Sequence, residues 1–401
     1  MPVAAAKRNE ARRGARAGRF VGLGAGLALL AACSANLPMF DQPAPPPPTP
    51  ATPTPAVGGD VFGSGPVKVG LILPLTQGGQ PSPIGQSLRN AAQLAVEESE
   101  FKDITLTVQD DRSTPDAAQQ VAQAQLAGGA EILLGPLFSA DVRKVAVAAR
   151  AAGKPVIAYS SDASVASSGV YLLSFLVESY VDRVMSYAAS KGKKVFAVLA
   201  PQNDFGNVAV TEAQLEASRL NVQLVTIARY PAGQPAAGAP QIAGATAPID
   251  AVLIAEPADG AAAAAAALSS KGFKGQILGT GLWNDPKALN APGLNGAWIA
   301  GPENASFDQY AAKYRAKFNA EPARLSTLAY DSVSLVVALA HTQGAQSFSA
   351  AVLTNASGFR GADGVFRFLP DGRNERGLAV MQIGNGTTTI LAPAPRDFAG
   401  G

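Results

Sequence analysis

Nucleophilic, acid–base and metal chemistry each need particular side chains at particular spacings, and this chain offers few of them. His341 is the single histidine and Cys33 the single cysteine among 401 residues. One cysteine excludes a disulfide framework, a thiolate zinc site and an iron–sulfur cluster. One histidine excludes a His-rich metal site, and Ser–His–Asp hydrolysis would have to use His341. That residue closes an apolar helical stretch (Val336, Val337, Leu339, Ala340), where structural hydrogen bonding is the expected role. The neighbouring Asp110-Asp111 ends a strand pattern, so its two carboxylates should face opposite sides rather than act as a pair. Gly58-Gly59 and Gly78-Gly79 lack the sequence context of a nucleotide-binding loop. What remains is hydroxyl chemistry. Ser139 follows an apolar run and opens a helical pattern, where a hydroxyl and the first-turn N–H groups favour an anion. The expectation is binding without catalysis, with no metal or cofactor.

Short apolar runs alternating with helical patterns must position these groups. Val67–Leu73, Ile104–Gln109, Glu131–Leu134 and Pro155–Ala158 have the length and branching of buried parallel strands. Helical patterns lie between them at Gln86–Ser99, Thr114–Ala127 and Ser139–Ala152, the last two opening on Thr114 and Ser139 as caps. A second series places strands at Val195–Leu199, Val222–Ile227, Ala251–Ala255 and Ile277–Gly279. Its helices fall near Ser179–Lys191, Asn207–Ser218 and Ala258–Lys271, and the last contains the alanine run Ala261–Ala267. Alanine is the best helix former, which predicts a tightly packed helix there. Residues 231–248, rich in Pro, Gly and Ala, make a poor helix. Two further helices, Ser306–Asn319 and Arg324–Thr342, precede strands at Val365–Phe368, Leu378–Ile383 and Thr388–Leu391. The βα rhythm implies open parallel sheets, hence an α/β fold.

Composition agrees with a large folded body. Hydrophobic residues make up 47% and charged residues 15%, which excludes wholesale disorder. Beyond residue 32 there are 26 basic against 29 acidic residues, so nucleic acid is not an expected partner. The basic excess sits at the start, where Lys7, Arg8, Arg12, Arg13, Arg16 and Arg19 precede an uncharged run from Phe20 to Ala32. That is the pattern of a secretory signal, too short to span a bilayer as a stable helix. It ends in Leu30-Ala31-Ala32-Cys33, which resembles the lipobox of bacterial lipoproteins. The resemblance implies cleavage before Cys33, lipidation of its thiol and a membrane attached through that anchor. Ser34, where Asp would indicate inner-membrane retention, points to the outer membrane. Residues 43–56 hold eight prolines in fourteen positions, an extended spacer that makes 33–65 a tether. Residues 57–65 read as loop, with ordered structure beginning near Pro66.

Four features of the first series stand out: Leu73-Pro74-Leu75-Thr76, Gly85 at the opening of the first helix, Asp110-Asp111, and Gly135-Pro136-Leu137-Phe138-Ser139. With Asn203-Asp204-Phe205-Gly206 in the second series, they give residues 66–395 a form that resembles type I periplasmic binding proteins of the Leu/Ile/Val-binding kind. The resemblance implies two lobes, each a mostly parallel sheet flanked by helices, joined by three crossover strands near 172–178, 298–303 and 375–379. Lobe 1 would comprise 66–174 and 302–375, and lobe 2 would comprise 175–301 and 376–395. Ligand would be held by Ser139, Ser160, Ser161, Asp162, Phe205 and Glu256. Ile84 stands where the family has an aromatic residue. Asp162 replaces a threonine that binds the ligand carboxylate, and Gly281 falls where the family places an acid for the ligand ammonium. Glu256 and Asp285 lie near enough in sequence to substitute for it. These changes argue against an ordinary α-amino acid and toward an amide, a cationic amino acid or a peptidoglycan fragment. Two lipoprotein families share this form, one serving an ABC permease and one resembling penicillin-binding protein activators that contact a peptidoglycan synthase. The former is the first expectation and the latter the alternative.

Overall fold

The structure is a computed structural model and describes residues 59–398. The expected signal segment, Cys33 and the Pro-rich run lie outside the described residues.

The first sheet runs Asp60–Gly63, Ile104–Asp110, Val67–Leu73, Ile132–Leu134, Val156–Ala158, Val170–Leu172 across its width. Every neighbouring pair is parallel except the edge strand Asp60–Gly63, which runs antiparallel to Ile104–Asp110. That edge strand corrects the reading of 57–65 as loop. Its four residues carry one large apolar side chain that packs inward, Phe62, too little periodicity to announce a strand. Along Val67–Leu73, alternate residues serve different cores. Val69, Leu71 and Leu73 pack with Leu88 and Ala92 on one face, whereas Ile72 joins Val121, Leu133 and Val145 on the other. Both faces are therefore buried, as the unbroken apolar run requires.

The second sheet has the order Gln223–Tyr230, Val195–Pro201, Ala251–Ile254, Gln276–Thr280, Trp298–Gly301, Ala379–Gly384, Thr387–Ala392. Its first five strands are parallel and the last two antiparallel. The alanine-rich helix Ala258–Ser270 lays Ala261, Ala264, Ala265 and Leu268 on this sheet, all fully buried. Small side chains bring that helix close. Residues 231–248, expected to make a poor helix, form only a single 3₁₀ turn and the five-residue helix Ala239–Ala243.

The chain crosses between the sheets three times. It leaves the first sheet after Leu172 for helix Val177–Ser190, which packs on the second. After Gly301 it returns to helix Asn304–Phe318, packed against the first-lobe helix Pro83–Glu98. Finally it passes from Arg376, at the end of a small antiparallel sheet, into Ala379–Gly384.

The two lobes repeat one local device. Helix Pro83–Glu98 is capped by Ser82, whose hydroxyl accepts from the Gly85 N–H at 3.2 Å. Helix Asp204–Arg219 is capped by Asn203, which accepts from the Gly206 N–H at 2.9 Å. Each glycine presses on the strand end before it. A Cβ on Gly85 would lie 2.0 Å from the Pro74 carbonyl oxygen, and one on Gly206 would lie 2.1 Å from that of Pro201. Neither neighbour is a flexible side chain that could give way. Gly85→Ala and Gly206→Ala should each destabilise the fold by about 1–3 kcal/mol, the usual cost of overpacking. Urea denaturation checks this, and an unchanged midpoint for both variants would show that the contact is not enforced.

Candidate functional site

The carboxyl ends of the parallel strands in both sheets open on one cleft, a cavity of about 960 Å³. Open α/β sheets bind ligands at such strand ends. One wall comes from Leu137–Ser139, Tyr159–Asp162 and the segment around Asn304 and Arg324. Tyr180, Phe205 and residues 281–285 form the other. Phe138, Leu282 and Leu325 expose 37%, 42% and 37% of their surface, so both walls present apolar area to the opening. Exposed large apolar side chains gathered in a concavity mark a binding surface.

Of the residues expected to meet ligand, Ser139, Ser160, Ser161, Asp162 and Phe205 lie on this cleft. Glu256 does not. It is buried behind the end of Ala251–Ile254, where Oε1 accepts from the Tyr230 hydroxyl at 2.6 Å. Its carbonyl also accepts from the Trp283 indole N–H at 2.6 Å. Contrary to the expectation, Glu256 turns into the second lobe and is not a cleft residue. Asp285 is on the wall, with Oδ1 accepting from the Lys287 N–H at 2.9 Å.

Ser139 is also placed differently from the expected cap. Phe138 holds the N-cap position of helix Ser139–Ala151, and Ser139 is its first residue. Its hydroxyl turns instead to the Asp162 carboxylate. Asp162 Oδ1 accepts from the Ser164 N–H at 3.0 Å, and Oδ2 lies 3.1 Å from Arg143 Nη2. Burial works against ionisation of Asp162. The bonds from Ser164 and Ser139 and the Arg143 guanidinium outweigh it and hold the carboxyl below its ordinary range. The Asp162 N–H in turn donates to Ser160 Oγ at 3.1 Å.

Behind the cleft, the crossings are tied by a single acceptor. The Ser174 carbonyl takes Asn374 Nδ2 and Arg376 Nε, both at 2.9 Å, which joins the first crossing to the third. The Arg376 guanidinium lies over the rings of Phe175 and Phe366, at 4.4 and 5.6 Å from their centroids. Its burial lowers its pKa, while Asp331 and Asp363 act in the opposite sense. Asp363 is paired with Arg324 at 2.5 Å, and Arg324 sits 4.2 Å over Phe307 on the cleft wall. Asn304 Oδ1 accepts from Asn284 Nδ2 at 2.7 Å, a direct bond between the two walls.

Phe175, Tyr180, Phe307, Arg324 and Asn284 were not among the expected residues. Phe175 and Tyr180 lie within or beside an expected crossing. In the sequence Arg324 opens a helical pattern, and an isolated charge before an apolar helix is the one signal it gives of a role on the cleft. Asp110 and Asp111 face apart as expected. Asp110 accepts from the Thr76 hydroxyl at 2.6 Å, whereas Asp111 is buried and accepts from the Ser113 N–H at 2.8 Å. His341 stacks on Phe101 at 3.9 Å with Nδ1 3.0 Å from Asp103, and it is not on the cleft. Among the described residues, no three His, Cys, Asp or Glu side chains converge to hold a metal. No helix among them is long and apolar enough to cross a membrane.

A family model described as periplasmic binding protein matches residues 66–388. Several solved structures share the fold. One described as a putative branched-chain amino acid ABC transporter from Rhodospirillum rubrum is 17% identical, with a TM-score of 0.71, covering 81% of this chain and 99% of its own. A leucine binding protein from Thermotoga maritima is 20% identical, with a TM-score of 0.60 and coverage of 82% and 98%. A solute binding protein of an ABC transporter from R. palustris, in complex with benzoate, is 19% identical, with a TM-score of 0.59 and the same coverage. No curated protein matches the sequence.

The buried acids make stability depend on pH. Desolvation pushes Asp331 and Asp111 up to about 7 and Asp141 up to about 6. Each therefore holds a proton in the folded state that it loses in the unfolded chain between pH of about 4 and those values. Their stabilisation is complete below the unfolded pKa and is lost as pH rises through the folded one. Asp162, held low, contributes in the opposite sense only at more acid pH. The melting temperature should fall from pH 5.5 to pH 8, and Asp331→Asn should flatten the slope. A melting temperature that rises over this interval would contradict the assignment.

Proposed function

This chain belongs to the periplasmic binding protein family, and from that premise we propose that it holds a small polar solute between its lobes without chemical change and presents it to an ABC permease. The observation that carries the reading is the cleft itself, a cavity of about 960 Å³ lined from both lobes by hydroxyls, aromatic rings and exposed apolar side chains. Three crossings leave the lobes free to close on a ligand, and closure would desolvate the hydroxyls of Ser139, Ser160 and Ser161. Buried hydroxyls need partners, and a polar solute supplies them. Ser139, Ser160, Ser161, Asp162 and Phe205 are the residues assigned to contact it. The molecule works in the periplasm, anchored through lipidated Cys33, with the Pro-rich run as spacer.

One feature favours a second reading. Eight prolines in residues 43–56 make an extended spacer, which with an outer-membrane anchor suits a protein that must reach across the periplasm. A lipoprotein of this form could instead span toward a peptidoglycan synthase and regulate it, as penicillin-binding protein activators do.

The two readings separate in one experiment. For a receptor, a solute at 100 times its dissociation constant adds about 2.7 kcal/mol to stability, a readily detected melting shift. For an activator, no small solute shifts the melt and a synthase co-purifies from periplasmic membranes. Leucine, isoleucine and valine should bind weakly or not at all; micromolar binding of leucine would overturn the reading of the cleft. For the anchor, the intact mass of native protein should correspond to a chain beginning at a diacylglyceryl-modified Cys33. Recovery of residues 1–32 on an unmodified Cys33 would remove the lipoprotein assignment.

A further inference from the structure

The first turn of helix Ser139–Ala151 opens on the cleft, and its N–H groups with the Ser139 hydroxyl would suit an anionic group of a ligand. The hydroxyl of that position is already engaged. The chain's own Asp162 carboxylate accepts from Ser139 and pairs with Arg143, while the Ser164 N–H fixes its other oxygen. A ligand carboxylate brought to the same place would have to displace the Asp162 carboxylate from Ser139 and Arg143.

The rest of the charge on the walls works in the same direction. Four charged residues line the cleft: Asp162, Asp285, Asp308 and Arg324. Arg324, the cation among them, is paired with Asp363 behind the wall at 2.5 Å and covers one face of Phe307. Arg143 neutralises Asp162 in turn. Lys287, two residues after Asp285, sends its ammonium to Asp259 at 2.9 Å. Asp285 and Asp308 therefore leave the walls with a net negative charge. The apolar side of the cleft is equally specific. Phe138 from one lobe and Phe205 from the other leave ring surface toward the cavity, and ring faces attract cations as well as apolar groups.

We propose that Asp162 is a built-in occupant of the anion position, and that the cleft selects a cationic ligand with an apolar body and no carboxylate. An organic amine meets every condition. Its ammonium faces Asp285 and Asp308, its body lies between Phe138 and Phe205, and it brings no group to compete with Asp162. The inference rests on the reading of the cleft as a solute site and narrows it to one chemical class.

Three probes of one shape test it: phenethylamine, phenylalanine and 3-phenylpropionate share the ring and differ in charged groups. They are titrated calorimetrically into the full chain and into Asp162→Asn and Asp162→Thr. Asparagine keeps the oxygen that caps residues 163–165 and threonine can also cap, so the fold should survive; melting of the unliganded variants verifies this. The wild-type chain should bind the amine at least about tenfold more tightly than phenylalanine and should not bind the acid. Both variants should narrow that gap by at least about fivefold, with phenylalanine gaining affinity. Carboxylate probes binding the wild type as tightly as the amine would overturn the proposal, as would an unchanged ranking in both variants. If the amine fails while another solute raises the melting temperature, the ligand class is wrong and the solute-binding reading stands. If no solute from a metabolite library does so, that reading falls as well.

Discussion

Two α/β lobes connected by three strands of chain can close on a ligand only if the connections bend together. The Ser174 carbonyl is where that coordination resides. It lies on the first crossing and accepts from Asn374 and Arg376 on the approach to the third. The Arg376 guanidinium is buried against Phe175 and Phe366, with Asp363, and Asp331 once it ionises near pH 7, supplying the opposing charge. A buried guanidinium is costly unless it is matched, which favours keeping these groups together as the crossings bend. Phe175 lines the cleft, so the hinge guanidinium stacked on it lies one side chain away from the ligand space.

The cleft keeps the architecture of an anion-binding helix end while filling it from within. In this arrangement one carboxylate does two jobs. Asp162 satisfies Ser139, Arg143 and the Ser164 N–H, and it fills the place a ligand carboxylate would take. Its pairing with Arg143 is half-exposed and contributes little to stability on its own. Its weight lies in what it excludes. The exposed Phe138, Leu282 and Leu325 supply the complementary attraction, since water is readily displaced from apolar surface.

Much of the fold was legible in the sequence because it depends on local chemistry. Val67–Leu73 is unbroken apolar residues but for one lysine, and it became a central strand. Gly85 and Gly206 stood out in their motifs, and each donates its N–H to a cap three residues earlier, Ser82 or Asn203. The edge strand Asp60–Gly63 was not legible, because its pairing with Ile104–Asp110 is decided by a partner more than forty residues away. Glu256 was misplaced for a related reason. A carboxylate at a strand end can turn to the cleft or to the core, and Tyr230 on a strand not its neighbour in the sheet decided it. Ser139 fell one position from its expected role, since a cap is set by backbone angles that Phe138 happens to adopt. Arg324 and Phe307 meet only through tertiary packing, which no spacing rule encodes.

The central claim is that a solute is held between the lobes and that the hinge responds to it. Amide hydrogen exchange on the full chain, with and without a solute that raises its melting temperature, tests this most directly. The account predicts slowed exchange in three places: residues 137–141 and 159–162 on one wall, 281–285 on the other, and the crossings around Ser174, Pro302 and Arg376. Protection confined to a single lobe, or to surface away from these segments, would contradict it.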